Sequence, residues 1–180
     1  MLTEQCIPIV RQLKGAPVVS SAGRPLGPVA DVLIHPTAGR WLGVLLTTLD
    51  GLERIAPADY CAYARHDGIV TTSEYALKSP LEFARAQPQS APVCRQMIGT
   101  QIVTEQGELR GYVSEVLLRL DTQTTLYHVA VADWRRFFKL GFYLIGDAPH
   151  YYSSQGARLL VAETTLKAQS EFHSGLSITH

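Results

Sequence analysis

Two stretches decide the fold: Leu13–Leu45, LKGAPVVSSAGRPLGPVADVLIHPTAGRWLGVL, and Met97–Val129, MIGTQIVTEQGELRGYVSEVLLRLDTQTTLYHV. Laid over each other without a gap, they run at a constant spacing of 84 residues. Gly15 then meets Gly99, Gly23 meets Gly107 and Gly27 meets Gly111. Val19 meets Val103, Val29 meets Val113, Asp31 meets Glu115, Val32 meets Val116, Leu33 meets Leu117 and Leu42 meets Leu126. Three glycines in register with one apolar pattern mark an internal repeat, which has to be recognised before any element is assigned.

Each copy reads as a series of short strands. Pro17–Val19 and Gln101–Val103 are β-prone runs that end in polar residues. Ala22-Gly23-Arg24 and Gln106-Gly107-Glu108 are tight turns in which glycine supplies the positive φ that a hairpin needs. Gly27 and Gly111 open a second strand, Val29–His35 and Val113–Leu120, where a glycine marks a bulge or a close backbone approach. Alternation puts Val29, Asp31 and Leu33 on one face and Val32 and Ile34 on the other, so both faces are largely apolar.

A third strand is expected at Trp41–Thr47 and Leu126–Ala132, a further one at Ile55–Tyr60 and Tyr143–Ala148, and a closing one at Gly68–Thr72 and Arg158–Glu163. At the closing strand Gly68 meets Gly156 and the spacing has grown to 88, an insertion of about four residues in the second copy between Asp133 and Tyr143. The expected fold class is all-β: two tandem small β-barrels, residues 1–76 and 96–165, related by internal duplication. Barrel closure would remove the exposed edges that invite aggregation. Residues 77–95 form the linker. The stretch Glu74–Ala86 is expected to give a helical turn or two broken by Pro80, and Gln87–Pro92 is a Pro/Ser/Gln spacer. Residues 166–180 are polar, lack periodicity and read as an irregular tail.

Composition narrows the function. Lys and Arg total 16, as do Asp and Glu, so the basic excess of a nucleic-acid binder is missing and such a partner is disfavoured. Attraction to an anionic membrane surface is equally unsupported. The longest nearly uninterrupted apolar run, Phe137–Ile145, contains Lys139 and falls far short of the ~18 residues that span a bilayer. Met1–Arg11 carries Glu4 and lacks the basic start and apolar core of a signal peptide, so a cytoplasmic location is expected. Charged residues make up only 18%, which leaves neutral surface for a protein partner or a homodimer.

Candidate chemistry is sparse. Cys6, Cys61 and Cys94 form no CxxC pair, and Cys61 beside Tyr60 and Ala62 reads as a small buried residue. His35, His66, His128, His150, His173 and His180 show neither helical nor strand metal-ligand spacing, and His35 before Pro36 reads as exposed. Asp31 and Glu115 suggest a carboxylate pair, but equivalent positions in two copies meet only if the copies pack that way. The structural alternative is an acid bonding backbone amides or a basic neighbour. No phosphate-binding glycine loop, GxSxG or HExxH is present in the sequence.

The most unusual stretch is Asp133–Tyr143, in the insertion of the second copy. Trp134, Arg135, Arg136, Phe137 and Phe138 interleave aromatic and basic groups there, the residue types enriched at binding hot spots. They are the candidate partner-binding residues. A single-stranded nucleic acid stacking on the aromatics, or aromatics capping the core or the seam between the copies, are the other readings.

The glycine and apolar pattern of the first copy, with Leu26-Gly27, Val29, Asp31-Val32-Leu33-Ile34, Gly39-Arg40, Leu42-Gly43-Val44 and Ile55-Ala56-Pro57-Ala58-Asp59, resembles the PRC-barrel family. The second copy keeps Gly99, Gly107, Gly111, Val113 and Glu115-Val116-Leu117-Leu118 but has Arg110-Gly111 for the usual Leu-Gly pair and Tyr127 for the strand glycine. That family includes the cytoplasmic domain of the photosynthetic reaction centre H subunit and the C-terminal domain of the ribosome maturation factor RimM. The resemblance implies a bacterial, non-enzymatic protein-binding adaptor within a larger assembly, with no catalytic, cofactor or metal residues to carry over. The alternative is a small-ligand- or metal-binding regulatory protein with its site between the two barrels.

Overall fold

Valine and isoleucine runs separated by glycine turns become strands in the computed structural model. It describes residues 4–35, 39–64, 68–86, 94–119, 123–131, 142–145, 150–153, 158–168 and 176–178. The first half holds β1 (Glu4–Pro8), β2 (Pro17–Ser20), β3 (Pro25–Ile34), β4 (Trp41–Thr47), β5 (Glu53–Pro57), β6 (Cys61–Ala64) and β7 (Gly68–Thr71). Helices α1 (Pro80–Ala86) and α2 (Cys94–Met97) follow. The second half holds β8 (Gln101–Thr104), β9 (Leu109–Arg119), β10 (Thr125–Val131), β11 (Phe142–Ile145), β12 (His150–Ser153), β13 (Arg158–Val161), β14 (Leu166–Ala168) and β15 (Leu176–Ile178). No helix among the described residues is long and apolar enough to cross a membrane.

The strands make two sheets. One runs β5-β4-β3-β2-β7-β6, and the other runs β11-β10-β9-β8-β13-β12 with β14 added beside β11. The same order thus recurs in both sheets. So do the parallel pairs β2 with β7 and β8 with β13. The turns repeat atom for atom. Gly23 N–H donates to Ser20 O at 2.8 Å and Gly107 N–H to Thr104 O at 2.8 Å, with φ of +78° and +83° at the glycines. Gly27 and Gly111 mark close approaches: a Cβ at 27 would lie 2.0 Å from Thr47 O, and one at 111 would lie 2.1 Å from Ala130 O.

The expectation of closed barrels is corrected. Among the described residues no pairing joins β5 to β6 or β11 to β12. The chain turns between β5 and β6 through a 3₁₀ segment, Ala58–Tyr60, and the outer edge of β5 is taken by Lys78 instead. Ile55 and Lys78 exchange backbone hydrogen bonds of 2.8 and 2.9 Å. In the second sheet β14 occupies the same edge, with Tyr143 opposite Lys167. The irregular tail expected from residue 166 is therefore corrected too. Residues 166–168 close the edge of β11, and residues 176–178 pair in parallel with β1.

Three further details differ from the expected pattern. Leu42 is bulged out of the β3–β4 ladder, so Val32 faces Val44 while Val116 faces Tyr127, a spacing of 83. Leu42 therefore does not meet Leu126 in space. In the closing strands Val18 faces Ile69 and Ile102 faces Leu159, a spacing of 90. Pro80 begins a helix: Ser79 Oγ accepts the Glu82 N–H, and Glu82 Oε2 accepts the Ser79 N–H at 2.8 Å. This is a capping box with proline at the first helical position, where its missing N–H costs nothing.

The halves are joined through a common core. Ile9, Leu13, Val32, Ile34 and Val44 of the first half and Met97, Val116, Leu118 and Tyr127 of the second belong to one cluster of buried residues. Residues 6–8 of β1, counted with the first unit in the sequence, pair with β9 of the second sheet. The π-helical turn Ile9–Leu13 packs on β9, and α2 packs on β3, so each half's leading segment lies against the other half's long strand.

The glycine contacts are testable. Gly27→Ala and Gly111→Ala should each cost about 3 kcal/mol or abolish folding, because the clash is with backbone. Gly51→Ala, at φ +81° with nothing within 4 Å, should cost only about 1 kcal/mol. Urea unfolding followed by circular dichroism separates the two classes, and equal losses at all three positions would refute the close approach as the cause.

Candidate functional site

The β3–β4 turn of the first half reaches the β9–β10 turn of the second and locks to it through backbone. Trp41 N–H donates to Gln123 O at 3.0 Å, and the Thr125 N–H and hydroxyl both donate to Gly39 O at 2.7 Å. Thr125 is fully buried. Gln123 adopts φ +54°, the only positive φ of a non-glycine residue among those described. Such a conformation is disfavoured for a side chain with a Cβ. It is held here by the junction.

Beside this lock lies a cleft of about 440 Å³. The buried rings of Trp41 and Phe83, with Leu42 and Ala58, supply its apolar surface. The Trp41 indole N–H donates to Gly43 O at 2.9 Å, so the tryptophan is internally satisfied and fixed. Arg40, Lys78, Asp59, Gln123 and Tyr60 bring polar groups, and Tyr60 is 44% exposed. Among the described residues neither Arg40 nor Lys78 forms an ion pair. The cleft thus gathers Arg40, Lys78, Asp59, Tyr60 and Gln123 over buried rings, drawn from both halves and from α1. Hydrogen bonds from Ser79 hold the Glu82 carboxyl below its usual range, and Lys78 lies close enough to help.

The two acids of the repeat are also brought to the junction. In each ladder one residue, Ala30 or Ser114, is bulged just before the acid. A bulge of this kind re-aims the following side chain, and both acids are buried. Asp31 Oδ1 accepts the Val32 N–H at 2.8 Å, and Glu115 Oε1 accepts the Val116 N–H at 2.9 Å. Asp31 Oδ2 faces Arg95 Nε at 3.5 Å across the halves. Both acids lie near Cys94, whose thiol is pushed up first by burial and then by the two carboxylates. The arrangement matches the reading of acids that bond backbone amides and a basic neighbour.

Burial alone pushes the Cys61 thiol up to about 12. A thiol that stays protonated is a poor nucleophile, in keeping with the structural reading of Cys61. His35, expected to be exposed, is half-buried in the β3–β4 turn, where its N–H donates to Arg40 O and its carbonyl accepts the Gly39 N–H. His128 pairs with Ser114 Oγ at 2.6 Å, beside the second bulge. Among the described residues no three His, Cys, Asp or Glu side chains converge as metal ligands.

The candidate patch Trp134, Arg135, Arg136, Phe137 and Phe138 lies outside the described residues. The cleft residues Arg40, Trp41, Tyr60, Lys78 and Phe83 were not singled out in the sequence. They come from a turn, a strand start, a 3₁₀ segment, a one-residue bridge and a helix, and no spacing links them. The one local signal was Arg40-Trp41 after Gly39, a large aromatic entering a strand from a turn. Compared with known proteins, the chain matches no family model and none of the curated protein sequences.

Two outcomes check this geometry. Thr125→Val, which keeps the backbone bond to Gly39 but loses the hydroxyl bond, should cost about 1 kcal/mol of stability in urea. Iodoacetamide at pH 8 should alkylate Cys61 roughly a thousand-fold more slowly in the folded protein than in urea, as expected for a thiol raised from 9.0 to about 12. Peptide mapping by mass spectrometry reads each cysteine separately, and rapid labelling of folded Cys61 would contradict the raised thiol.

Proposed function

We propose that the chain is a tandem PRC-barrel-type binding module, a non-enzymatic adaptor that acts in the bacterial cytoplasm and docks a protein partner at the junction of its halves. The repeated strand order and the glycine turns spaced 84 residues apart support internal duplication. The open sheets, each edged by Lys78 or β14, share one strand order, which supports reading them as counterparts of the family's barrel. The observation that carries the adaptor reading is the cleft: Tyr60 and Arg40, of the residue types that dominate binding energy, stand exposed together over the buried and fixed Trp41. The sequence-defined patch Trp134–Phe138 remains a second proposed contact on the same half as Gln123.

A second reading is favoured by the same cleft. Its volume of about 440 Å³ and its place at the junction also suit a small ligand, which would make the protein a regulator.

The test is quantitative capture from extract of the native host. Tagged wild type, the double variant Arg40→Ala/Tyr60→Ala and the control Leu49→Ser are compared; Leu49 is 76% exposed and outside the cleft. The adaptor reading expects a protein recovered near one-to-one with wild type and control, and at least ten-fold depleted with the double variant. Identical recovery by all three would overturn it. A small molecule retained by wild type alone in native mass spectrometry would favour the second reading.

A further inference from the structure

We infer that the seam is a two-fold interface between repeat units, across which Arg11 holds Glu115 as Arg95 holds Asp31. Interface and ion pair both rest on internal duplication and are independent of what the cleft binds.

The lock between the halves carries the symmetry. Trp41 and Thr125 stand 84 residues apart, as do Gly39 and Gln123 and the bridged pair Arg40 and Thr124. Exchanging the copies therefore turns the Trp41 N–H bond to Gln123 O, 3.0 Å, into the Thr125 N–H bond to Gly39 O, 2.7 Å. Gly39 and Gln123 share one left-handed conformation, at φ +55° and +54°. When a contact of one residue with another recurs with the roles reversed, the interface is isologous, the kind that joins two identical chains.

The repeat also extends upstream of Leu13 and Met97. At the same spacing Pro8, Arg11, Gln12 and Gly15 meet Pro92, Arg95, Gln96 and Gly99. Downstream of the closing strands, at a spacing of 89, Glu74, Leu77, Lys78, Glu82 and Phe83 meet Glu163, Leu166, Lys167, Glu171 and Phe172. The leading segments are thus parts of the units, and the same bonds anchor them. Gly15 N–H donates to Val29 O at 2.8 Å and Gly99 N–H to Val113 O at 2.7 Å, behind the fully buried Leu13 and Met97. Arg11 and Arg95 each stand two residues ahead of that buried anchor.

Each leading segment packs on the opposite half's long strand, α2 on β3 and the π-helical turn on β9. On β3, Asp31 Oδ2 meets Arg95 Nε at 3.5 Å. The same exchange of copies carries Asp31 onto Glu115 and Arg95 onto Arg11. Glu115 is 7% exposed, and a carboxylate so far from water needs a positive partner as well as the Val116 amide. Lys14 is the rival: it lies near Cys94, the thiol that burial and then both acids push up. Its counterpart in the other copy is Ile98, so symmetry assigns Glu115 to Arg11.

The experiment is urea unfolding of the whole chain, followed by circular dichroism, in double-mutant cycles. Arg11→Glu sets a like charge against Glu115 and should lower the urea midpoint as Arg95→Glu does. Most of that loss should vanish in the Glu115→Gln background, which keeps the bond to Val116 and removes the charge. The Arg95→Glu loss should vanish likewise in Asp31→Asn. In the crossed background, Arg11→Glu with Asp31→Asn, the loss should largely stay. If Arg11→Glu does not fold, Arg11→Gln, which removes the charge alone, carries the same cycle.

If Glu115→Gln cancels the loss from Lys14→Glu and not that from Arg11→Glu, Lys14 is the partner and the inference is overturned. An Arg11→Glu midpoint equal to wild type overturns it too. Either result leaves the duplication standing, since Arg95 and Asp31 still couple. If that pair also fails to couple, the seam is not built on the repeated acids, and the two-fold reading of the duplication fails with it.

Discussion

With no side chain at position 27, the backbone of β3 lies directly against the Thr47 carbonyl, and Gly111 allows the same contact with Ala130. A Cβ at either place would overlap a carbonyl oxygen that cannot move without breaking its own strand. The long strand can therefore bend across its neighbour, and the bulged residue that follows brings Asp31 or Glu115 into the interior. Each long strand thus combines one constraint, two backbones held closer than any side chain permits, with a bulge and a buried acid a few residues on.

The two small sheets share a core. Among the described residues neither half has a long helix to cover its inner face, and buried residues of both halves join in one cluster instead. The π-helical turn before β2 fills space against β9, α2 fills space against β3, and Asp31 with Arg95 spans the seam. Burying two carboxylates near one thiol is costly unless each finds a partner, and the backbone amides of Val32 and Val116 supply that locally. The seam is thereby fixed in register, and the cleft beside Trp41 inherits that fixity.

How much of this was legible depended on the range of the interaction. Turns are local, so Gly23 and Gly107 were readable from three residues, and β4 matched its predicted bounds because Trp41–Thr47 is an apolar run between turn residues. Pro80 was misjudged because proline breaks a helix only in its interior, and the capping pair Ser79 and Glu82 sets the start. The strand 166–168 was missed because three residues carry no period, and its partner β11 lies some twenty residues away. The Leu42 bulge was invisible to an ungapped alignment, which scored the Leu42–Leu126 match as a signal. The cleft was least legible of all: its residues share no segment, and only the packing of α1, the turn at Arg40 and the turn at Gln123 brings them together.

The pairing of β1 with β9 bears on the order in which this chain is made. Cys6 has its partner at Arg119, so this pairing of β1 has to wait until the whole stretch between the two residues has been made. Over that interval the six strands of the first sheet have every partner they need, while Ile9 and Leu13 wait for the surface that will bury them. Non-local closure of this kind is slow and leaves apolar residues uncovered during synthesis. The first half is thus born with an open seam, and the second half serves as the template on which it is sealed.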